Sequence, residues 1–429
     1  MRILLLGSGG RESALAWGLE RSQSVDDLVV VPGNPGIAEF AETLPADIND
    51  GSEIVQIAQR VGANLVVIGP EAPLVAGVGD ALRAGGFDVF GPNEQAARIE
   101  GSKTYAKQLM EQGGIPTAAW AEFSSVESAT SYLDELGPPY VVKADGLAAG
   151  KGVVVTEDRN EAVQALRERL VEGRFGEAGR RVVIEEFLDG QEASLIALTD
   201  GTAVACCEPA QDYKRVFDGD AGPNTGGMGS YSPVPACPTD VAEQIQKEVL
   251  EPMISTTAAR GAPFVGALYA GLALTSKGVK VVEFNARFGD PETQALIPRL
   301  NSDLGEAFLA CAVGRLDGFR LEWSPDVCVT VVMASDGYPG SHETGFPISG
   351  LAEASKSDAV AIFHAGTSRD PDGTVRTAGG RVLAVSALGR SFQEARSVAY
   401  DAASLIEFEG KHLRSDIGLR AEHAEEGVR

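Results

Sequence analysis

The stretch VVKADGLAAGKGVVVT, residues 141–156, decides the fold of this chain. A β-branched run leads into Lys143, a glycine-rich segment follows, and a second β-branched run comes after that segment. The pattern predicts two strands joined by a loop whose backbone N–H groups can approach a phosphate closely, with lysines supplying positive charge. The residues of this candidate phosphate loop are Gly146, Gly150, Lys151 and Gly152.

The obvious alternative is a P-loop, which has the pattern G-x-x-x-x-G-K-[ST] at the start of a helix. Only three residues separate Gly146 from Gly150, and Gly152 stands where a P-loop has its magnesium-binding Ser or Thr. A strand rather than a helix follows. The phosphates are therefore predicted to lie beneath a hairpin lid, although a flexible hairpin with solvated lysines stays open from this stretch alone.

The composition limits the possible partners and compartments. With 429 residues the chain has room for about three domains of roughly 150 residues each. Its formal net charge of -25 would repel nucleic acid and anionic membranes, so neither is expected as a partner. Five cysteines without a C-x-x-C spacing, a short N-terminal apolar run and the lack of a long apolar segment predict a cytoplasmic protein. We expect a monomer.

Residues 1–100 alternate short apolar runs with helical patterns, which is typical of a parallel sheet with helices on both faces. The predicted strands are 3–6, 28–31, 65–68 and 87–90. The predicted helices lie near 11–21, 52–61 and 74–84. This part of the chain is predicted to be a Rossmann-like domain.

Three polar turns follow predicted strands in this domain, where open α/β sheets collect ligands. The first, residues 7–12, resembles a dinucleotide fingerprint but has Glu12 in place of the third glycine, and this carboxylate would repel a pyrophosphate. A single phosphate on the helix N-terminus, assisted by Arg11, stays plausible. Ordinary tight turns are the alternative. The candidate substrate residues are Gly9, Gly10, Arg11, Glu12, Gly33, Asn34, Pro70 and Glu71.

A domain boundary is predicted near residue 100, where Gly101-Ser102-Lys103 opens a helix. Lys103 falls in the first turn of that helix, where the dipole disfavours a cation, so we expect either an anion beside it or a solvated side chain. From about 118 to 188 the pattern predicts a small α+β unit, whose last strand ends in two carboxylates and an apolar pair. These residues, candidates for binding adenine and ribose, are Glu185, Glu186, Phe187 and Leu188.

A second polar, glycine-rich region spans 211–229 and suits either a substrate loop or a turn-rich linker. Its candidate substrate residues are Asp212, Lys214, Arg215, Asn224, Thr225, Gly226 and Gly227. Strands are predicted at 264–275 and 279–284. Residues from 326 onward return to apolar strands, at 327–333 and 381–386, without a catalytic constellation.

The strand at 279–284 carries a candidate metal site. Alternation along a strand would place Glu283, Asn285 and Arg287 on one face, with Val282, Phe284 and Ala286 on the other. A carboxylate and an amide oxygen suit a hard cation, magnesium before zinc, and the arginine would hold an anion beside it. A half-buried strand with an ordinary wet face is the alternative.

Taken together, these segments resemble the ATP-grasp superfamily and, within it, the family of phosphoribosylamine–glycine ligases. The resemblance spans essentially the whole chain. It rests on LLLGSGGRESALAW, GPEAPLV, GSK, KADGLAAGKGV, VIEEFLDGQEAS, QDYKR, GPNTGGMGSYSP, VVEFNARFGDPET, FHAGT and GGRVL, in that order. One departure is Ser13, where the family commonly has histidine. A serine in the first turn of that helix can still donate to a phosphate, so we expect an adjusted affinity rather than a different ligand.

The resemblance implies three units, which are a Rossmann-like substrate domain (1–100), an ATP-grasp domain (101–325, with a lid at about 120–188) and a C-terminal α+β domain (326–429). It implies ATP and Mg2+ or Mn2+, with the metal on Glu283 and Asn285. The implied catalytic residues are Arg287, Asp290 and Lys143. ATP would also meet Lys103, the loop from Gly146 to Gly152, residues 185–188 and Glu192. Phosphoribosylamine and glycine would meet the turns named above together with Arg287, Gly289 and Asp290.

The implied reaction joins glycine to 5-phosphoribosylamine through a glycyl phosphate. Such chemistry needs positioning and charge neutralisation rather than a protein nucleophile. The alternatives are another ATP-grasp ligase, including one like biotin carboxylase, a nicotinamide-dependent oxidoreductase, and a nucleotide-binding regulator without catalysis. The missing third glycine weighs against the oxidoreductase, and the intact face of Glu283, Asn285 and Arg287 weighs against the regulator.

Overall fold

The computed structural model describes residues 1–146, 152–174 and 176–427. The elements of the N-terminal part are β1 (Arg2–Gly7), α1 (Gly10–Glu20), β2 (Asp27–Pro32), β3 (Glu42–Thr43), α2 (Gly51–Val61), β4 (Leu65–Ile68), α3 (Glu71–Val75), α4 (Val78–Ala84), β5 (Asp88–Phe90) and α5 (Glu94–Gly101). The strands form one parallel sheet in the order β3-β2-β1-β4-β5. The central strand β1 is buried from Ile3 to Leu6, as its uninterrupted apolar run predicts.

Two details of this domain differ from the predictions. The single helix predicted at 74–84 is wrong, because the chain forms two short helices that are separated at Gly77. Gly77 has φ +77° and precedes α4, a left-handed conformation that interrupts a helix. The short edge strand β3 was not predicted, because two residues give too little pattern to detect.

The second part of the chain forms the lid, which we define as residues 118–188. Its elements, after α6 (Lys103–Gly113), are β6 (Trp120–Phe123), α7 (Val126–Leu136), β7 (Tyr140–Ala144), β8 (Val153–Thr156), α8 (Arg159–Leu170) and β9 (Val182–Glu185). An antiparallel sheet in the order β6-β9-β7-β8 packs its apolar face against α7 and α8. The predicted pair of strands on either side of the glycine segment is confirmed.

The central part carries a second antiparallel sheet. Its elements are β10 (Gln191–Asp200), β11 (Val204–Cys206), β12 (Gln211–Asp212), β13 (Arg215–Phe217), β14 (Ala221–Asn224), β15 (Gly229–Ser232), α9 (Thr239–Ile245), α10 (Glu251–Ala259), β16 (Val265–Thr275), β17 (Gly278–Asn285), α11 (Glu292–Leu296) and α12 (Leu304–Ala312). The order of this central sheet is β11-β10-β16-β17. Its edge strand β17 runs alongside the lid and α6, which brings the predicted metal residues to the junction.

The C-terminal part adds β18 (Val327–Ser335), α13 (Leu351–Ala354), β19 (Val360–His364), β20 (Thr367–Arg369), β21 (Val375–Thr377), β22 (Arg381–Gly389), α14 (Phe392–Leu405), β23 (Lys411–His412) and α15 (Leu419–Gly427). Its sheet has the order β12-β15-β18-β22-β19, with β23 paired to β18. Two strands from residues 211–232 therefore belong to the C-terminal sheet, so this sheet reaches into the central part. The predicted α/β and α+β multidomain fold is confirmed. Among the described residues, none of the helices combines the length and the apolar character that crossing a bilayer requires.

Candidate active site

Two lysines predicted to bind phosphate meet where the lid joins α6. Lys143 lies one residue before the end of β7, with Nζ 3.0 Å from Glu185 Oε2 and 3.2 Å from the carbonyl oxygen of Val282. Lys103 lies at the start of α6, with Nζ 3.5 Å from the carbonyl of Gly146. Burial lowers the pKa of Lys103, and the ammonium of Lys143 adds to that effect while Glu283 opposes it. A buried and a half-buried ammonium group that act on each other favour an anion between them.

Asp145 holds this junction together. Its side chain accepts a hydrogen bond from the backbone N–H of Thr104 at 2.8 Å, and its backbone carbonyl accepts one from the N–H of Lys103 at 2.9 Å. The hydroxyl of Ser102 donates to the same carboxylate at 3.1 Å. A carboxylate at the first turn of a helix satisfies free N–H groups and complements the helix dipole. Asp145 therefore fixes the end of β7 against the start of α6, and with it the relative position of the two lysines.

The predicted metal residues lie at the end of β17. Burial raises the pKa of Glu283, but four surrounding cations outweigh burial and lower it, so the carboxylate is ionised at neutral pH. These cations are Lys214, Lys143, Lys103 and Arg287. Asn285 pairs with Tyr269 of β16 and is half-buried. No group of three or more His, Cys, Asp or Glu side chains within the described ranges is arranged to hold a metal ion. Two oxygen ligands from the protein nevertheless suit Mg2+, which is usually completed by substrate phosphates and water.

The predicted strict alternation along this strand is wrong at Val282. Gly271 pairs with Glu283 while Leu272 pairs with Val281, so Val282 is the extra residue of a β-bulge. The bulge leaves the carbonyl of Val282 free to accept a hydrogen bond from the ammonium of Lys143. From Glu283 onward the alternation holds, because Phe284 and Ala286 are buried.

Arg287 links the end of β17 to the N-terminal domain. Its guanidinium lies 2.6 Å from Glu100 Oε1 and 3.2 Å from Glu71 Oε2. Arg11 approaches the same carboxylate of Glu71 at 3.8 Å. Burial lowers the pKa of Arg287, but Glu100 and Glu71 more than compensate and raise it, so the arginine stays charged. The structure thus brings three of the predicted site residues, Arg287, Glu71 and Arg11, into one ion-pair network. Glu100 also belongs to this network and was not predicted.

Glu12 fills the first turn of the N-terminal sheet. Its carboxylate accepts the N–H of Gly9 at 2.8 Å and lies 2.5 Å from Arg11 Nε. A Cβ atom on Gly7 or Gly69 would lie 2.3 or 2.4 Å from the Glu12 side chain, so both glycines make room for it. One N–H that a phosphate could use is therefore taken by Glu12. The substrate roles of Gly9, Gly10, Arg11 and Glu12 stay predictions.

Asn34 and Ser13 form a buried contact with the C-terminal domain. The amide nitrogen of Asn34 donates to Ser8 O, to Ser13 Oγ and to His364 O at 2.8 to 2.9 Å. The hydroxyl of Ser13 donates to the same His364 carbonyl at 2.5 Å. Both side chains thus form hydrogen bonds within the chain. The substrate role of Asn34 and a phosphate contact of Ser13 stay predictions. Burial lowers the pKa of His364 to about 4, so its imidazole is neutral at neutral pH.

The glycine loop at 224–227 and Asp290 are joined by an arginine from the C-terminal domain. Arg381 donates to the carbonyl oxygens of Gly226 and Asp290 at 2.6 and 2.8 Å, and its second terminal nitrogen lies 3.0 Å from Asp290 Oδ2. Burial raises the pKa of Asp290, but Arg381 and then Arg11 outweigh it and lower the pKa. Sequence reasoning missed Arg381, although the GGRVL segment that contains it is part of the resemblance.

The QDYKR segment places a second set of charges near Glu283. Lys214 is ion-paired with Glu192, so the predicted ribose carboxylate contacts a predicted substrate lysine. Burial raises the pKa of Asp212 to about 7, against the opposing effect of Lys214. Arg215 donates to the carbonyl of Gly222 within its own hairpin at 2.6 Å.

The strand end predicted to bind adenine divides into a buried and an exposed part. Glu185 is buried between Lys143 and Lys107, whose ammonium lies 3.1 Å from Glu185 Oε2. Glu186 pairs with Lys280 at 3.2 Å, and its N–H donates to Ala119 O. Phe187 and Leu188 follow the strand, and across the described ranges no hydrogen bond joins their backbone groups to another residue. They are therefore available to the edge of a base.

The candidate phosphate loop is described only at its two ends. Gly146 donates to Ala178 O at 3.2 Å, and Gly152 O accepts the N–H of Ala144 at 2.8 Å. Gly150 and Lys151 lie outside the described residues.

Comparison with known proteins covers nearly the whole chain. Family models of phosphoribosylglycinamide synthetase match it with their N domain at residues 1–100, their ATP-grasp (A) domain at 101–293 and their C domain at 328–420. The chain is 50% identical over 424 residues to a phosphoribosylamine–glycine ligase of Leifsonia xyli, covering 98% of this chain and 100% of the relative. It is 48% identical over 421 residues to that of Agrobacterium fabrum, covering 98% and 99%.

Solved structures are similar to this chain over nearly its whole length. The crystal structure of phosphoribosylamine–glycine ligase from Thermotoga maritima superposes with a TM-score of 0.85 at 33% identity and covers 97% of this chain and 100% of that one. A biotin carboxylase domain from Hydrogenobacter thermophilus in complex with MgADP and bicarbonate gives 0.73 at 15% identity, covering 96% and 91%. The second similarity concerns the fold alone.

Proposed function

Because the chain belongs to the phosphoribosylglycinamide synthetase family, we propose that the residues described above carry out the reaction of that family. The chain is an ATP-dependent carbon–nitrogen ligase that joins glycine to phosphoribosylamine in purine biosynthesis.

One observation carries these assignments. Four cations from four separate segments act on the half-buried carboxylate of Glu283, namely Lys103, Lys143, Lys214 and Arg287. Such a concentration of charge is unexpected in a protein of net charge -25 unless anions bind there. A polyphosphate would neutralise the four cations, and a divalent cation bound to it would neutralise the carboxylate of Glu283.

We assign the nucleotide to the junction of lid and central sheet. Lys103 and Lys143 would bind its phosphates, and the free backbone groups of Phe187 and Leu188 would meet the adenine. Glu192 would meet the ribose after leaving Lys214. Glu283 and Asn285 would hold Mg2+ or Mn2+, which when bound neutralises the phosphate oxygens as charge develops.

The first chemical step is attack of the glycine carboxylate on the γ-phosphorus in line. A carboxylate oxygen forms a bond to phosphorus, the bond to the bridging oxygen breaks, and ADP leaves, giving glycyl phosphate. Arg287 would face the transferred phosphoryl group while Glu100 and Glu71 hold its guanidinium. The contribution of the protein is positioning and charge stabilisation.

In the second step the amine of phosphoribosylamine attacks the acyl carbon and displaces phosphate. We assign the phosphoribosyl group to the turns that carry Arg11 and Glu71, because Glu71 is shared by Arg11 and Arg287 and therefore joins the two substrate regions. Lys214, Asp290 and the loop at 224–227 would enclose the reacting groups. Glycyl phosphate hydrolyses readily in water, so we expect the lid to close before it forms.

The test of this function is release of ADP from Mg-ATP with glycine, with and without phosphoribosylamine formed in place from ribose 5-phosphate and ammonia. Release that requires both substrates and yields an amide supports the proposal. Release with a different carboxylate or amine would keep the nucleotide site and change the substrates. Failure of every pair would favour the alternative of a non-catalytic regulator.

We expect replacement of Arg381 by methionine to lower kcat by about tenfold, because a charge-assisted clamp between Asp290 and the glycine loop is lost. The Michaelis constant for ATP should change little. Steady-state kinetics and a melting temperature from circular dichroism check this. Arg376→Met, which removes a partly exposed arginine of the neighbouring strand β21, is the matched control. Equal activities for the two variants would contradict a role for Arg381.

We further propose that the enzyme works as a monomer in the cytoplasm, a reducing compartment that suits its five free cysteines. Sedimentation at several protein concentrations should give a mass near 44.8 kDa. A constant mass near twice that value would contradict the proposal.

A further inference from the structure

A buried cluster of three charged side chains lies directly behind the nucleotide lysines. Glu185 Oε2 is 3.0 Å from Lys143 Nζ and 3.1 Å from Lys107 Nζ, and all three side chains are at most 5% exposed. The other carboxylate oxygen, Oε1, is buried and has no hydrogen-bond partner within the described ranges. One carboxylate thus serves two ammonium groups, and the cluster keeps a net charge of one positive unit.

Lys107 is held in this position from its other side. Its ammonium donates to Thr117 Oγ1 at 2.7 Å, and the hydroxyl of Thr117 donates to the carbonyl of Val281 at 2.7 Å. Lys143 donates to the carbonyl of the next residue, Val282. Both lysines are therefore held against the β-bulge that immediately precedes Glu283. The cluster is thus attached directly to β17, the strand that carries the proposed metal ligands.

We propose that Lys107 is a positioning residue of the ATP site. Its ammonium shares the carboxylate of Glu185 with Lys143, so Lys143 is not fully neutralised and its positive charge stays available to a phosphate. Without Lys107 the carboxylate would neutralise Lys143 alone, and the cluster would carry no net charge. A phosphate would then have to compete with Glu185 for the same ammonium group. The inference rests on the proposed ATP site.

The charge of Lys107 depends on pH. Burial lowers its pKa to about 8, with Glu185 and Glu283 opposing and Lys143 adding to the decrease. These carboxylates and Lys143 are the charged groups that face Lys107 from β7, β9 and β17. Below that pH the ammonium form predominates, and above it Lys107 becomes neutral and Glu185 acts on Lys143 alone. Nucleotide affinity should fall as pH rises through this value.

The experiment is equilibrium binding of ADP in excess Mg2+ by calorimetry, from about pH 7.5 to about pH 9, where the phosphates of ADP are fully ionised. We expect the affinity of the unmodified chain to fall several-fold across this range. Lys107→Met should bind ADP about tenfold more weakly at about pH 7.5 and show a flat profile. Lys107→Arg should keep tight binding and also be flat, because arginine stays charged.

A charge-balanced double variant separates this role from a structural one. Lys107→Met with Glu185→Gln leaves Lys143 with a net positive charge again, so we expect it to regain part of the lost affinity. Lys247→Met, at an exposed lysine, is the matched control, and melting temperatures identify any variant that fails to fold. Tight, pH-dependent ADP binding by folded Lys107→Met would overturn the inference, and so would a double variant no better than the single one. If the unmodified chain itself fails to bind ADP, the proposed ATP site fails first.

Discussion

Replacement of Glu283 by alanine is expected to lower the turnover number by roughly a thousandfold or more while leaving the fold intact. Glu283 is ionised because four cations outweigh its burial, and we propose it as one of two oxygen ligands for a metal on β17. Its loss would leave Asn285 alone and would remove the negative charge that balances the cations. Both effects act on the phosphoryl group at the moment of transfer.

The measurement for this variant is kcat at saturating substrates, with Mg2+ and then Mn2+ raised to high concentration. Glu243→Ala, at an exposed carboxylate of α9, is the control and should retain full activity. Near-normal ligase activity of Glu283→Ala would refute the metal assignment.

Replacement of Lys143 by alanine should raise the Michaelis constant for ATP by roughly a hundredfold, because it removes the buried ammonium that we assign to the phosphates of ATP. The fold should survive, since Glu185 keeps Lys107 as its partner. The Michaelis constants for glycine and phosphoribosylamine should change far less than the Michaelis constant for ATP.

Initial rates over a wide range of ATP concentration, with both other substrates saturating, check this expectation. Lys247→Ala serves as the control for loss of a lysine. An unchanged ATP dependence in Lys143→Ala would remove this lysine from the nucleotide site.

Local pattern was sufficient for the strands and for part of the site. The β-branched runs on either side of the glycine segment form β7 and β8, and the metal candidates Glu283 and Asn285 lie at the end of β17, as alternation predicts. The bulge at Val282 was not predictable, because it depends on pairing with Gly271 of a neighbouring strand.

The rest of the site depends on contacts between distant segments. Arg381 contacts Gly226 across 155 positions of sequence. Glu100 reaches Arg287 across 187 positions. Lys107 reads in the sequence as an ordinary helix residue, and only packing against the lid sheet turns it into the partner of Glu185. No periodicity or motif carries such information, because each contact is set by the way the domains pack together.

We propose that glycine is activated as glycyl phosphate in this cleft. The most direct measurement uses glycine labelled with 18O in both carboxylate oxygens and determines the label in the phosphate released during ligation. Since the acyl carbon–oxygen bond breaks when the amine attacks, the account predicts one 18O atom in each phosphate formed. Released phosphate without 18O, at a normal yield of amide product, would contradict it.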